Sequence, residues 1–387
     1  MNTDALIELI RSIYNGDDVI PLHRPVFAGH ERQDLVNCID SNFVSSVGQQ
    51  VTEMEQRVAE FVGATHGVAV VNGTNALQVA LRLVGVGPNT EVITQALTFV
   101  ATCNAIQYTG AEPVLLDVDR TTLGLSPDAL SAFLNKHAER RDEGCFNRTT
   151  DRRIAACQPM HTFGHPARID EIQAICEDWG IPLVEDAAES LGSFFNGQHT
   201  GTFGRLGVFS FNGNKIITTG GGGMIVTDDE NLARRAKHLT TTARTDHPYE
   251  YIHDELGYNF RMPNLNAALG CAQMDQLAHF LAAKRAVAQR YADFCGEHGI
   301  EFVGEPEHAR SNYWLNAIVL DSKSERDAFL QATNAQGIQT RPIWRLMSEL
   351  PMYAHCQTDA LTMSQWLADR VVNLPSSVPV DAIKATP

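Results

Sequence analysis

The sequence predicts an α/β fold: a large, mostly parallel β-sheet covered by helices, followed by a smaller α/β domain. Short apolar strands alternate with helical segments from Gly67 to Asp228, the pattern of parallel strands joined by helical crossovers. A long amphipathic run from Leu265 to about Gly296 then changes the texture of the chain. At 387 residues the chain is also long for a single hydrophobic core.

Residues 1–14 form a short amphipathic helix packing on the body, and IPLHRPVFAGHE (20–31) reads as an extended lead into a further helix. Val51, Met54, Val58, Phe61 and Val62 recur at helical spacing, and Gly63 ends that run. GVAVVNG (67–73) is a buried strand and turn, followed by a helix over 75–84. Strand, turn and helix repeat at 91–95 with 100–109, at 112–118 with 127–135, and at 154–160 with 168–179. IPLVEDAA (181–188), RLGVFSF (205–211) and GGMIVTD (222–228) add strands. The polar segment 137–153 lacks periodicity and reads as a solvated helix end and loop without chemistry. Beyond residue 257, strands near 311–320 and 338–344 flank a helix over 324–336. The predicted division is 15–256 for the large domain and 257–387 for the small one.

A formal charge of -16 opposes broad binding to nucleic acid but leaves room for a local basic pocket. Eight scattered cysteines without a CxxC pair fit small buried hydrophobes in a reduced compartment and predict no metal site. Neither a signal peptide nor an apolar run of membrane-spanning length is evident, so the expected location is the cytoplasm.

Three segments carry chemistry. NGTNAL (72–77) lies where a strand gives way to a helix. Free N–H groups there and the Thr74 hydroxyl suit a phosphate at the positive helix end, although the same residues serve as a plain cap. No GxxxxGK[ST] loop and no complete GxGxxG fingerprint is present. VEDAAES (184–190) follows an apolar strand, placing Asp186 at the crevice where open sheets bind ligands. There it suits a protonated ring nitrogen, or a helix cap. In SFNGNKIITTGGGGMIV (210–226), Ser210 offers a hydroxyl to a phosphate and Lys215 an amine able to condense with an aldehyde. Gly220 to Gly223 indicate close backbone approach or a flexible turn.

NGTNAL, EDAAES, SFNGNK, TTGGGG and GYNFRMPN occur in the order found in DegT/DnrJ-type sugar aminotransferases, which the chain resembles over roughly residues 19–376. The resemblance implies an aspartate-aminotransferase-like fold (fold type I) and pyridoxal 5'-phosphate as cofactor, with pyridoxamine 5'-phosphate as its intermediate form. It implies L-glutamate as amino donor, leaving 2-oxoglutarate, a nucleotide-linked keto sugar as acceptor, and a homodimer with shared active sites. Position by position, it makes Lys215 the Schiff-base lysine and Asp186 the partner of the ring nitrogen. Gly73, Thr74 and Ser210 match phosphate contacts, and Asn259 a contact lent by the second subunit. Phe99, in LTFVAT, matches an aromatic ring over the cofactor. By residue type alone, Phe99 reads equally as core and Asn259 as a turn residue. Glu189 departs from the pattern, standing where the family often has glutamine or histidine near the cofactor hydroxyl; a carboxylate there needs a proton or a bridging donor.

HTFGHPARID (161–170), SNYWLN (311–316) and TRPIWRLMSELPMY (340–353) resemble the branch acting at the 4-keto position of UDP-linked 2-acetamido-2,6-dideoxyhexoses, for legionaminic acid or bacillosamine-type glycans. Arg341 and Arg345 are candidates for a substrate anion. Trp314 and Trp344 are candidates for packing on sugar or base, or for closing the small core. His161 and His165 suit sugar hydroxyls or a turn. Competing expectations are a GDP- or dTDP-linked 4-keto or 3-keto sugar, a pyridoxal-phosphate sugar dehydratase, which Lys215 opposes, and a noncatalytic sugar-binding regulator, which the complete motif set opposes.

Overall fold

The computed structural model describes residues 3–15, 18–379 and 382; the first two residues of the predicted 1–14 helix and the last of the predicted small domain lie outside that set. In chain order the strands are β1 (His66–Val70), β2 (Thr90–Gln95), β3 (Glu112–Leu116), β4 (Ala138–Arg141), β5 (Gly144–Asn147), β6 (Arg152–Cys157) and β7 (Val184–Asp186). They continue with the short β8 (Phe194–Phe195) and β9 (Gln198–His199), then β10 (Leu206–Ser210) and β11 (Gly223–Thr227). Parallel pairing joins β3 to β2 and β2 to β6; bridges Cys157–Leu183 and Met160–Asp186 carry the line to β7, which pairs in parallel with β10. Two antiparallel pairs, β10–β11 and β11–β1, complete it. The order is therefore β3-β2-β6-β7-β10-β11-β1, mostly parallel as predicted.

The inner strands are apolar on both faces because helices cover both sides. Val92, Ile93, Ala155, Ala156, Val184, Val208 and Ile225 are buried against helices such as Gly73–Leu83 and Ile169–Trp179. Loops leaving the carboxyl ends of β2, β6, β7 and β10 consequently gather at one edge, where open α/β sheets hold ligands. Phe99, Met160, Asp186 and Ser210 all stand there.

Segment 137–153 differs from its prediction. It forms the β4–β5 hairpin, antiparallel to the start of β6. Its charges belong to an edge strand: Arg141 pairs with Glu139 and Asp151 and covers the Phe146 ring. The inward positions are few but specific, since Cys145 is buried and the Asn147 amide donates to Glu91 at 2.8 Å.

A second sheet is built from β12 (Glu301–Phe302), β14 (Asn316–Val319), β15 (Arg341–Pro342) and β16 (Val371–Leu374), in the order β12-β14-β16-β15; β13 (Ala309–Arg310) pairs instead with β8. The central strand β16 was absent from the sequence reading. The long helix spans Asn264–His298 and stops at Gly299, whose φ of 64° is the left-handed cap glycine accepts readily. Helix Thr3–Ile13 buries Leu6, Ile7 and Ile10 with Val287, Tyr291, Phe329 and Ile338, so it covers the second sheet rather than the first. No helix among the described residues is long and apolar enough to cross a membrane.

Candidate active site

A cavity of about 660 Å³ lies at the carboxyl edge of the large sheet. Gly73, Thr74, Phe99, Asp186, Glu189, Ser210, Lys215, Trp314, Arg341, Trp344 and Arg345 line it, so eleven positions named from the sequence converge. On one wall, Asn72 caps helix Gly73–Leu83 by accepting from the Asn75 N–H at 2.8 Å. The first N–H groups of the helix are left facing the cavity. Glycine is required at 73, since a Cβ there would stand 2.9 Å from the Cβ of Ser210.

Lys215 lines the same cavity. Its ammonium lies 3.3 Å from Glu189 Oε1 and 4.1 Å from the centre of the Trp314 ring. Trp314 is fixed at both ends. Its indole N–H donates to the carbonyl of Asn214, next to the lysine, at 2.6 Å, and its carbonyl accepts from Lys284 at 3.1 Å. Asp186 is buried, with Oδ2 accepting from the Thr102 hydroxyl at 2.8 Å and Oδ1 from the Ala188 N–H at 3.2 Å. Burial raises its pKa above the ordinary carboxylate value, opposed by those hydrogen bonds and by Lys215. Among the described residues that carboxylate forms no ion pair, and it suits a cation arriving with a ligand.

Glu189 is likewise buried, and burial pushes its pKa up to about 7 although Lys215 and the Phe163 N–H pull the other way. An unfolded glutamate releases its proton near 4.5. Between those values the folded chain binds the extra proton, so stability falls as pH rises through the window from 4.5 to about 7. Glu189→Gln in the ligand-free protein should therefore gain stability relative to the parent between pH 4.5 and 8, by roughly 3 kcal/mol. Parallel denaturant melts check this; an equal difference at both pH values counts against it.

The two histidines depart from the expected substrate contact. His161 is fully buried, with Nε2 3.0 Å from Glu185 and Nδ1 accepting from the Ala167 N–H, so both ring nitrogens are consumed by the fold. His165 is fully buried edge-on against Tyr313, away from the cavity lining, and burial lowers its pKa to about 4. What their turn contributes is Phe163, which lies between them. Phe163 adopts a left-handed φ of 57°, aims its N–H at Glu189 Oε2 at 2.9 Å, and packs on Trp344 with ring centres 5.0 Å apart. Asn259 is exposed, accepts from Arg261, and does not line this cavity.

Sequence reasoning missed three supporting groups. Asn312 donates to the carbonyls of Glu189 and Leu191 and accepts from the Trp314 N–H at 2.7 Å, tying together the two neighbours of Lys215. Lys284 is buried and bonded to His23, Trp314 and Ser376, and burial lowers its pKa to about 7. Thr102 holds Asp186. Two of them lie in segments singled out for a neighbour: Asn312 in SNYWLN, read for Trp314, and Thr102 in LTFVAT, read for Phe99.

A family model for DegT/DnrJ/EryC1/StrS aminotransferases matches residues 26–384. The chain belongs to that family. It is 36% identical over 362 residues to EpsN of Bacillus subtilis (strain 168), covering 92% of this chain and 90% of that one. It is 34% identical over 362 residues to GDP-perosamine synthase of Caulobacter vibrioides, covering 92% and 93%. The solved aminotransferase TlmJ from Streptoalloteichus hindustanus superimposes with a TM-score of 0.84 at 26% identity, covering 95% and 96%.

As a DegT/DnrJ/EryC1/StrS enzyme, the protein is a pyridoxal-phosphate-dependent sugar aminotransferase of fold type I. The cavity fits that cofactor on its own terms. A phosphate suits the cradle that a Cβ at residue 73 would fill, a protonated ring nitrogen suits buried Asp186, and an aldehyde suits the Lys215 amine. Gly73→Ala should weaken cofactor affinity by about tenfold or more, because the new methyl displaces Ser210 from the cradle. Titration of the stripped protein, followed by absorbance, reads this directly.

Proposed function

We propose that this enzyme moves an amino group from L-glutamate to the 4-keto carbon of a UDP-linked 2-acetamido-2,6-dideoxyhexose, giving a UDP-4-amino-4,6-dideoxy-N-acetylhexosamine. The observation that carries the reading is convergence. Trp314 from SNYWLN and Arg341, Trp344 and Arg345 from TRPIWR meet Lys215 and Asp186 in one cavity. Arg345 is exposed and makes no hydrogen bond or ion pair with a described residue, so its charge is available to a diphosphate. Phe99 and Trp344, with ring centres 6.2 Å apart, supply flat apolar surface beside it.

When bound, pyridoxal phosphate supplies an aldehyde that condenses with amines and a ring that accepts the electron pair left when a proton departs from the amine-bearing carbon. In this reading Gly73, Thr74 and Ser210 hold the phosphate, Phe99 covers the ring, and Asp186 keeps a proton on the ring nitrogen. Glu189 meets the cofactor hydroxyl, sharing a proton with it. The Nζ of Lys215 takes a proton from the α carbon of glutamate and returns it beside the ring. With the sugar bound, the same Nζ moves the proton in the opposite sense, and 2-oxoglutarate has already left.

The proposal includes a cytoplasmic homodimer, with Asn259 serving the partner's site, and a division into residues 15–256 and 257–387. Apolar side chains exposed on one chain, among them Phe27, Ile39, Phe43 and Val47, support the dimer. A GDP-linked substrate is the second reading, favoured by the likeness to GDP-perosamine synthase. The deciding experiment offers the holoenzyme glutamate with UDP-, GDP- and dTDP-linked 4-keto-6-deoxy sugars and identifies products by mass and coupling constants. Amination confined to a GDP sugar without an acetamido group would overturn the first reading.

A further inference from the structure

Strand β16 brings one polar side chain to the cavity that amino transfer leaves unused. Val372 and Leu374 are fully buried in the core beneath helix Thr3–Ile13. Asn373, between them, turns to the other face, which lines the cavity. Across the antiparallel β15–β16 pair it stands directly opposite Arg341, so the two side chains share that face. Asn373 is only 3% exposed, and its amide nitrogen is shut off from solvent with no hydrogen-bond partner. No described residue bonds to its amide oxygen either. Burying an amide unpaired is unfavourable, so an unpartnered amide in a cavity wall points to a ligand.

The chemistry narrows that ligand. A primary amide is neutral and offers an N–H at one end and a carbonyl at the other, exchanged by rotation about its last bond. A carboxylate or phosphate would set its own oxygens against that carbonyl, and adjacent Arg341 is the stronger partner for either. A secondary amide is matched whichever way the side chain turns, since its carbonyl accepts and its N–H donates. The recessed position favours a group that projects from a sugar ring over a hydroxyl attached to it. Apolar neighbours are at hand for a methyl. Leu22 and Ile343 line the same cavity and are held beside β16 by bonds from Ser376 N–H to the Leu22 carbonyl at 2.7 Å and from Ile343 N–H to the Val371 carbonyl at 3.1 Å.

We infer that Asn373 recognises the acetamido group of the nucleotide sugar and selects N-acetylated substrates. This rests on the reading of the substrate as an N-acetylated UDP sugar and assigns that preference to one residue. The test titrates the holoenzyme calorimetrically with UDP-N-acetylglucosamine and with UDP-glucose, which differ in that group alone. The parent should bind the N-acetylated ligand about tenfold more tightly, and Asn373→Leu should bring the ratio to within about threefold. Because the amide has no partner in the free protein, the leucine variant should melt at the same temperature or higher. That opposition of signs separates recognition from support. A tenfold ratio retained in Asn373→Leu overturns the inference, as does a lower melting temperature with both ligands weakened alike. A parent without any preference overturns it as well, while the identity of the aminated product decides the substrate reading separately.

Discussion

Lys215→Ala is expected to lower turnover by about 10⁴-fold, the upper end for a positioned acid–base group. The lysine is only 11% exposed and is held between the Glu189 carboxylate and the Trp314 ring. No second lysine stands among the described residues that line the cavity, and buried Lys284 is committed to His23 and two carbonyls. Lys215→Arg should be as inactive, since guanidinium keeps the charge without the nucleophile. Borohydride treatment followed by peptide mass mapping supplies the independent check. The parent should acquire the cofactor's mass on the peptide containing Lys215, and both variants should not. An undiminished adduct on another lysine would remove Lys215 from its role.

The second large effect is expected at Asp186. Asp186→Asn should reduce turnover by about 10²–10³-fold, the range for losing one preorganised electrostatic contact in a water-excluded site. The substitution preserves shape, and its amide can still meet Thr102. It cannot hold a proton on a ring nitrogen by charge. Melting temperature should rise or stay level, because burial already raises the pKa of this carboxylate and asparagine carries no charge to desolvate. Steady-state rates and melts on the same preparations test both halves; a variant that loses stability and rate together would make Asp186 a structural residue.

Legibility in the sequence followed the scale of the interaction. Strand and helix alternation in the large sheet was readable because fully buried parallel strands are continuous apolar runs. Edge and connecting elements were not, because β4–β5 carries its charges on an exposed edge and β16 is four residues of VVNL without periodic context. The same contrast holds within the site. Asp186 and Ser210 end strands, Gly73 opens a helix and Lys215 lies in the turn after β10, all in motifs whose chemistry is local. Asn312, Lys284 and Asn373 matter through partners 30 to more than 100 residues away, which spacing in the chain does not encode. In the segment 161–165 both imidazoles are buried outside the cavity lining, and it is the backbone N–H of Phe163 that meets Glu189.

Lys284 grips His23 near the start of the chain, Trp314, and Ser376 close to the last described residues. Trp314 in turn clasps the loop that bears Lys215. During synthesis on a ribosome, the motifs that cradle a phosphate are finished long before that clasp exists. The full clasp, from His23 through Lys284 to Ser376, is therefore complete only after residue 376 has emerged.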